Sequence, residues 1–148
     1  MKLLVAVDFS DPTDLILRVA TRLAKSLDAS VWVVHAAAPD PDFVGYDAGP
    51  EVVRGQVAKE LRDEHRRLQQ YTDDLRDAGV NAKAILVRGP TVDALLAMAE
   101  KQGADLIVVG SHGRGLVAEA LMGSVSQGLI RAGRWPVTVV PVGRDGAR

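Results

Sequence analysis

The sequence contains no cysteine and few aromatic residues, with two each of tryptophan, tyrosine and phenylalanine. Without cysteine, the chain cannot form disulfide bonds, iron–sulfur clusters or a thiol nucleophile, and it suits a reducing compartment. Long apolar runs are also missing, since none approaches the ~18–20 residues of a membrane-spanning helix. The first apolar run ends at Asp8 and is shorter than the apolar region of a signal peptide. We therefore expect a cytoplasmic protein with no membrane partner.

The charges of the chain are nearly balanced. It carries 18 lysine and arginine residues against 19 aspartate and glutamate residues, for a formal net charge of -1. A protein whose main partner is nucleic acid needs a basic surface that neutralises phosphates, so we expect no nucleic-acid partner. The length of 148 residues is that of one domain, and a hydrophobic content of 47% is enough to build a core.

Three familiar patterns of phosphate chemistry are missing. A dinucleotide-binding Rossmann domain carries GxGxxG after its first strand, whereas residues 8–12 read DFSDP. A P-loop needs a lysine between its last glycine and the next serine or threonine, but Ser124 directly follows Gly123. A receiver domain would end its third strand with an aspartate, where this chain has Val87 and Arg88. The sequence therefore excludes these three classes.

Short apolar runs alternate with helix-like segments along the chain. Five runs are rich in β-formers and predict strands at residues 3–7, 31–34, 82–87, 106–109 and 137–142. Continuous apolar strands are typical of sheets buried on both faces, and intervening helices imply parallel pairing. We predict one α/β domain over the whole chain: a doubly wound, Rossmann-like, five-stranded parallel sheet with helices on both faces. Ligands of such sheets bind beyond the carboxyl ends of the strands, where the strand order reverses.

Four helices are predicted between and after these strands. The first begins at Pro12, with Asp11 as its N-cap. The apolar face of this helix is predicted to consist of Leu15, Val19, Leu23 and Leu27. The second helix spans residues 51–78. Its apolar stripe is predicted to consist of Val57, Leu61, Leu68 and Leu75. The other two helices begin at Pro90 and at Ser124.

A glycine-rich segment follows the fourth predicted strand. It runs from Gly110 to Gly123 and leads into the last predicted helix. Glycine lets backbone amides approach an anion closely, and the free amides and dipole at a helix N-terminus favour negative charge. The hydroxyls of Ser124 and Ser126 and the guanidinium of Arg114 would add donors. The segment therefore predicts a phosphate site.

The spacing of these glycines resembles that of the universal stress protein family. The ATP-binding branch of that family carries a glycine, two residues, a second glycine, nine residues, and then a glycine followed by serine or threonine. Gly110, Gly113 and the pair Gly123 and Ser124 stand at these positions. The resemblance extends over nearly the whole chain, from the first predicted strand to the last. It implies a protein that binds ATP, with Mg²⁺ accompanying the nucleotide.

The resemblance also implies roles for individual residues. Asp8 would bond to the ribose, and Val7, Ala36 and Val109 would surround the adenine. The ribose and phosphates would be held by Gly110, His112, Gly113, Gly123, Ser124, Val125 and Ser126. Members of the family often pair through their last strand, which implies a homodimer through residues 137–142.

Several of these residues also have a purely structural interpretation. Asp8 can cap the turn into the first helix, although its place at a strand end favours a ribose contact. The glycines can simply shape a tight loop, but their number before a helix favours phosphate binding. His112 is interpreted as a loop residue without acid–base or metal chemistry, and His35 as a hydrogen bonder at a strand end. The role of Arg88 stays open between phosphate binding and covering the sheet edge.

Catalysis has little support in the sequence, because no nucleophile is placed beside a base and an orienting group. We therefore expect a nucleotide-responsive regulator in stress adaptation and no fast enzyme. Two alternatives stay open: a slow ATP hydrolase or phosphotransferase that uses Asp8 and Arg114, and a nucleotide-free module that dimerises. Pro141 bears on the dimer, because proline cannot donate to a β-ladder and can blunt an edge strand. The pattern does not distinguish ATP, ADP, AMP and cyclic nucleotides as the preferred ligand. The role of residues 39–50 also stays open between a lid and a connector.

Overall fold

The protein forms the predicted parallel sheet. The computed structural model describes residues 1–10, 12–37, 50–112 and 122–142, with Pro50 described by its backbone alone. The strands are β1 (Lys2–Ala6), β2 (Ser30–Ala37), β3 (Ala82–Arg88), β4 (Leu106–Gly110) and β5 (Val137–Val140). All pairs are parallel, and the strand order is β3-β2-β1-β4-β5. The doubly wound α/β prediction is therefore confirmed, with β2 longer than predicted and β5 shorter.

Four helices lie within the described part of the chain, and they cover both faces of the sheet. They are α1 (Thr13–Leu27), α2 (Pro50–Asp77), α3 (Thr91–Gln102) and α4 (Ser124–Ala132). Side chains alternate along β1, so that Leu3 and Val5 join the core beneath α1 and α2, whereas Leu4 and Ala6 join the core beneath α3 and α4. None of the helices described is both long and apolar enough to cross a membrane.

The buried face of α1 differs from the predicted one. Its buried apolar residues are Ile16, Leu17, Ala20 and Ala24. The predicted Leu15, Val19 and Leu23 pack only at the margin of this core, and Leu27 is 42% exposed. The physical reason is helical geometry: a row of residues spaced by four turns about 40° further around the axis at each step, so it drifts away from the sheet. The predicted N-cap, Asp11, lies outside the described residues.

Helix α2 extends well beyond the sheet. Its 28 residues correspond to about 42 Å, whereas the seven residues of β3 span only about 23 Å. The carboxyl-terminal half packs on the sheet through the predicted Leu68 and Leu75, which are buried. The predicted Val57 and Leu61 are only half-buried, whereas Val53, nearer the amino terminus of the helix, is buried. The predicted loop 39–50 falls outside the described residues, except that Pro50 begins α2.

The strand order reverses between β1 and β4. Strands β2 and β3 follow β1 on one side, whereas β4 and β5 lie on its other side. Val5 pairs with Val108, so Asp8, three residues beyond Val5, lies at the same edge of the sheet as Gly110. This edge is the topological switch point at which α/β sheets bind ligands.

Candidate functional site

Asp8 lies just beyond β1 and organises the turn that follows it. Its Oδ1 accepts hydrogen bonds from the amide of Ser10, at 3.1 Å, and from the hydroxyl of the same residue. The N-cap position of α1 is Pro12, which makes no side-chain capping bond. Asp8 therefore closes a turn ahead of the helix, in agreement with its structural interpretation. A carboxylate has about four acceptor sites on two oxygens, and a ribose hydroxyl is the kind of donor that it accepts.

The three residues predicted around the adenine lie on two faces of the sheet. The side chain of Val7 belongs to the core beneath α1 and α2, whereas Val109 belongs to the core beneath α3 and α4. Both are buried. Ala36 is half-buried and, by strand alternation from Val34, shares the face of Val109. Of the three side chains, Ala36 therefore presents the most surface at this edge.

Gly110, the last residue of β4, is held in a tight space. A Cβ at this position would lie 2.8 Å from Cδ1 of Ile16 and 3.2 Å from the carbonyl oxygen of His112. Distances below 3.0 Å require a neighbour to move, and Ile16 is 3% exposed in the core. The close approach of α1 to β4 is therefore enough to explain why this residue is a glycine.

Ser111 connects three elements at the sheet edge. Its amide donates to Val140 of β5 at 2.8 Å, and its carbonyl accepts from the amide of Gly123 at the start of α4. Its hydroxyl oxygen accepts from the amide of Val142 at 3.0 Å and lies 3.0 Å from Nδ1 of His112. The sequence analysis did not identify this role, because a serine in a glycine-rich loop has no distinguishing local signal.

The amino terminus of α4 has no side-chain cap among the residues that the structure describes. Gly123 is its N-cap, with φ -75° and ψ 166°. Ser124 is exposed and Val125 is half-buried. The first amides of a helix have no partner within it, and they carry the positive end of its dipole. The structure therefore places the predicted phosphate-binding residues Gly123, Ser124 and Val125 together at the amino terminus of a helix.

Ser126 differs from its neighbours, because it is buried. Its side chain is 1% exposed, and its hydroxyl donates to the carbonyl of Gly123 at 2.9 Å. In this conformation, the hydroxyl stabilises the first turn of α4. The structure thus shows a structural use of Ser126, and its predicted ligand contact stays a prediction. Gly113 and Arg114, also predicted at this site, lie outside the described residues.

Strand β2 and helix α2 each bond to a backbone carbonyl next to Asp8. Nδ1 of His35 bonds to the carbonyl oxygen of Val7 at 2.8 Å, which confirms its prediction as a hydrogen bonder at a strand end. Nη2 of Arg67 donates to the carbonyl oxygen of Phe9 at 3.2 Å. Sequence reasoning missed both Phe9 and Arg67.

Phe9 adopts a left-handed backbone conformation, with φ 61°. This region costs a non-glycine residue about 1–2 kcal/mol, so surrounding contacts must hold it. The Phe9 ring is buried, with its centroid 4.3 Å from that of His35, and the guanidinium of Arg67 lies 4.4 Å from it. These contacts stabilise the conformation.

No group of three acidic or histidine side chains forms a metal cluster within the part of the chain that the structure describes. His65, for example, is exposed on α2, where its Nε2 lies 3.3 Å from the amide nitrogen of Gln69.

The chain closely resembles known proteins in both sequence and structure. The sequence model of the universal stress protein family matches residues 1–141. The universal stress protein YxiE of Bacillus subtilis is 31% identical over 144 residues, covering 94% of this chain and 97% of YxiE. The solved structure of MJ0577 from Methanocaldococcus jannaschii superposes with a TM-score of 0.82 at 25% identity, covering 97% of each chain. A universal stress protein solved in complex with cAMP superposes with a TM-score of 0.67 at 25% identity, covering 97% of this chain and 98% of that one. The chain therefore belongs to the universal stress protein family.

Proposed function

We propose that this protein binds ATP with Mg²⁺ at the carboxyl edge of β1 and β4, and that nucleotide occupancy regulates it in stress adaptation. The observation that carries the proposal is that Asp8 follows β1 at the same edge of the sheet where the amino terminus of α4 is joined, through Ser111, to the end of β4. A ribose acceptor and a set of phosphate donors thus meet at the topological switch point of the sheet. The likeness to a family member solved with cAMP supports an adenine nucleotide as the class of ligand.

The phosphate end of the proposed site is formed by α4. The amides of Ser124 and Val125 and the exposed Ser124 hydroxyl offer uncharged donors. Gly123 has backbone angles that any residue adopts, so its lack of a side chain is not required by its conformation. We infer that a side chain is missing at Gly123 because phosphate oxygens approach the helix there.

The proposed protein is a binder without fast turnover. Phosphoryl transfer depends on charge stabilisation and on a positioned attacking group. Asp8 is a carboxylate at this edge, and its Oδ1 already accepts two bonds from Ser10. A carboxylate engaged in this way is better suited to hold a hydroxyl than to activate a water molecule. The competing proposal, a slow hydrolase, predicts ADP release above the rate of Mg–ATP alone, and that release should fall in Asp8→Ala.

We also propose a homodimer through β5, at the end of the sheet order. Ile107 donates to the carbonyl of Pro136, and Ser111 donates to that of Val140, so the even-numbered residues of β5 face β4. By alternation, the amides of Val137 and Val139 point away from β4, and Pro141 has no amide to offer. An edge with two outward donors can pair with a second copy over a short length.

The test of nucleotide binding is thermal unfolding with and without millimolar Mg–ATP, beside Mg–GTP and AMP. A ligand at ~100 times its dissociation constant adds about 2.7 kcal/mol, or roughly 5–10 °C for a domain of this size. A shift selective for ATP is the expected result. Equal shifts with GTP would contradict the adenine assignment, and no shift at any concentration up to 10 mM would favour a nucleotide-free module.

A further inference from the structure

We infer that His35 and Arg67 are positioning residues for Asp8: they hold the two peptide groups that orient its carboxylate toward the ribose. The ribose is that of the proposed function, whereas the positioning itself rests on contacts within the protein. Neither residue is placed among the residues that would contact the nucleotide. His35 lies on β2 and Arg67 on α2, and each bonds to the backbone carbonyl of a residue adjacent to Asp8.

The peptide group before Asp8 is held by His35. A peptide group is planar, so the carbonyl of Val7 and the amide of Asp8 move as one unit. Nδ1 of His35 lies 2.8 Å from that carbonyl oxygen. Because a carbonyl only accepts, Nδ1 carries the hydrogen and donates. The His35 ring is itself fixed, since it is 6% exposed and its Nε2 lies 3.6 Å from Oε1 of Glu64.

The second peptide group after Asp8 is held by Arg67. The carbonyl of Phe9 and the amide of Ser10 form this planar unit. Arg67 donates to the carbonyl at 3.2 Å, while the Ser10 amide donates to Oδ1 of Asp8 at 3.1 Å. A rotation of this peptide group would break both bonds together. Arg67 therefore acts on the Asp8 carboxylate through the amide that binds it.

One turn of α2 carries Arg67 and also the residue that contacts His35. Glu64, which faces His35, and Arg67, which binds Phe9, are three residues apart and lie on neighbouring positions of the helix surface. The left-handed Phe9 lies between them, with its ring against His35 and under the guanidinium of Arg67. A shift of this turn relative to β1 would change both peptide groups and, with them, the position of Asp8.

The variants for the test remove each donor while keeping the general shape of the side chain. His35→Phe loses the imidazole donor, and His35→Gln restores an N–H donor as the conservative variant. Arg67→Met loses the guanidinium but keeps an unbranched chain. Arg66→Met is the matched control, because Arg66 is its neighbour on α2, is 79% exposed and contacts Asp63 only at 3.5 Å.

The first measurement is amide hydrogen exchange in the absence of nucleotide. We expect the Ser10 amide to exchange at least tenfold faster in His35→Phe and in Arg67→Met, and at the original rate in Arg66→Met. The amide of Leu129, buried in the core beneath α3 and α4, should keep its rate in all of them, which separates a local change from global loss of stability. Unchanged exchange at Ser10 in both variants would overturn the inference, whether or not the protein binds a nucleotide.

The second measurement is the ratio of affinities for ATP and 2′,3′-dideoxy-ATP. Asp8→Ala should abolish the preference for ATP, and His35→Phe and Arg67→Met should lower it at least threefold, with partial recovery in His35→Gln. In an Asp8→Ala background, His35→Phe should not change the ratio further. A preference that survives intact in folded His35→Phe and Arg67→Met would overturn the inference. Absence of binding by the unmodified protein would instead contradict the proposed function, and Ser10 exchange would still decide the positioning.

Discussion

Cδ1 of Ile16 lies 2.8 Å from the position that a Cβ on Gly110 would occupy. The glycine that begins the phosphate-binding pattern is thus also the residue that lets α1 pack against the end of β4. Because the packing of Ile16 by itself requires a residue without a side chain here, the presence of glycine at position 110 does not identify a phosphate site on its own.

Gly110→Ala is expected to destabilise the protein by about 1–3 kcal/mol, because the added methyl group overpacks a closed core. Ile16→Val removes the clashing methyl group, and alone it should cost about 0.5–1.5 kcal/mol. We expect the double variant to be more stable than the sum of the two single losses predicts, with the free energies of unfolding taken from urea titrations. Strict additivity would show that the two side chains do not meet.

Gly123→Val is expected to lower the free energy of unfolding by only about 1 kcal/mol, because φ -75° is accessible to valine although valine is a poorer N-cap than glycine. Its affinity for Mg–ATP should fall at least tenfold, or about 1.4 kcal/mol, since the isopropyl group would stand where phosphate oxygens approach. Gly128→Ala is the control: its methyl group would lie 2.7 Å from Val92, so it should lower stability and keep ATP affinity. Retained affinity in Gly123→Val would remove α4 from the site.

Ser111→Ala and Ser124→Ala should separate structural from ligand-binding serines. Loss of the Ser111 hydroxyl leaves the Val142 amide without its acceptor, so we expect a loss of about 1 kcal/mol in the free energy of unfolding. Ser124 is exposed, so its variant should unfold normally but bind ATP more weakly. Thermal unfolding with and without Mg–ATP measures both effects. A loss of stability in Ser124→Ala, with weaker ATP binding only in Ser111→Ala, would contradict the described site.

Val139→Pro tests the dimer through β5. Proline removes one of the outward amides while leaving the bonds between β5 and β4, which use Pro136 and Val140. If copies pair through this edge, the variant should be monomeric in sedimentation velocity, and Val139→Thr, which keeps the amide, should match the unmodified protein. A dimer that persists in folded Val139→Pro would place the interface elsewhere.

The sheet and the glycine segment were predictable because their signals are local. Apolar runs and turn residues define each strand within a few positions, and alternation with helices leaves few topologies. The error on α1 has a geometric origin, since Leu15 to Leu27 follow a spacing of four, which only approximates the 3.6 residues of a helical turn. The buried face of α1 contains Ile16 and Ala20. Small residues such as Ala20 contribute little to the hydrophobic periodicity of a sequence, so this face was harder to recognise.

The supports of Asp8 were not predictable from local pattern. Arg67 reaches the carbonyl of Phe9 across 58 positions of sequence, and charged residues on a long helix usually face solvent. Phe9 gives no sign of its left-handed backbone, since glycine and asparagine are the usual residues there. Ser111 likewise became recognisable only when β5 and α4 were placed beside it.

The most direct test of nucleotide binding is a calorimetric titration of Mg–ATP into the purified protein, with Gly123→Val titrated in parallel. We expect one ATP bound for each chain in the unmodified protein, with at least tenfold weaker binding in Gly123→Val. Absence of heat with the folded protein across temperatures, or equal affinity in the variant, would contradict an ATP site at the amino terminus of α4.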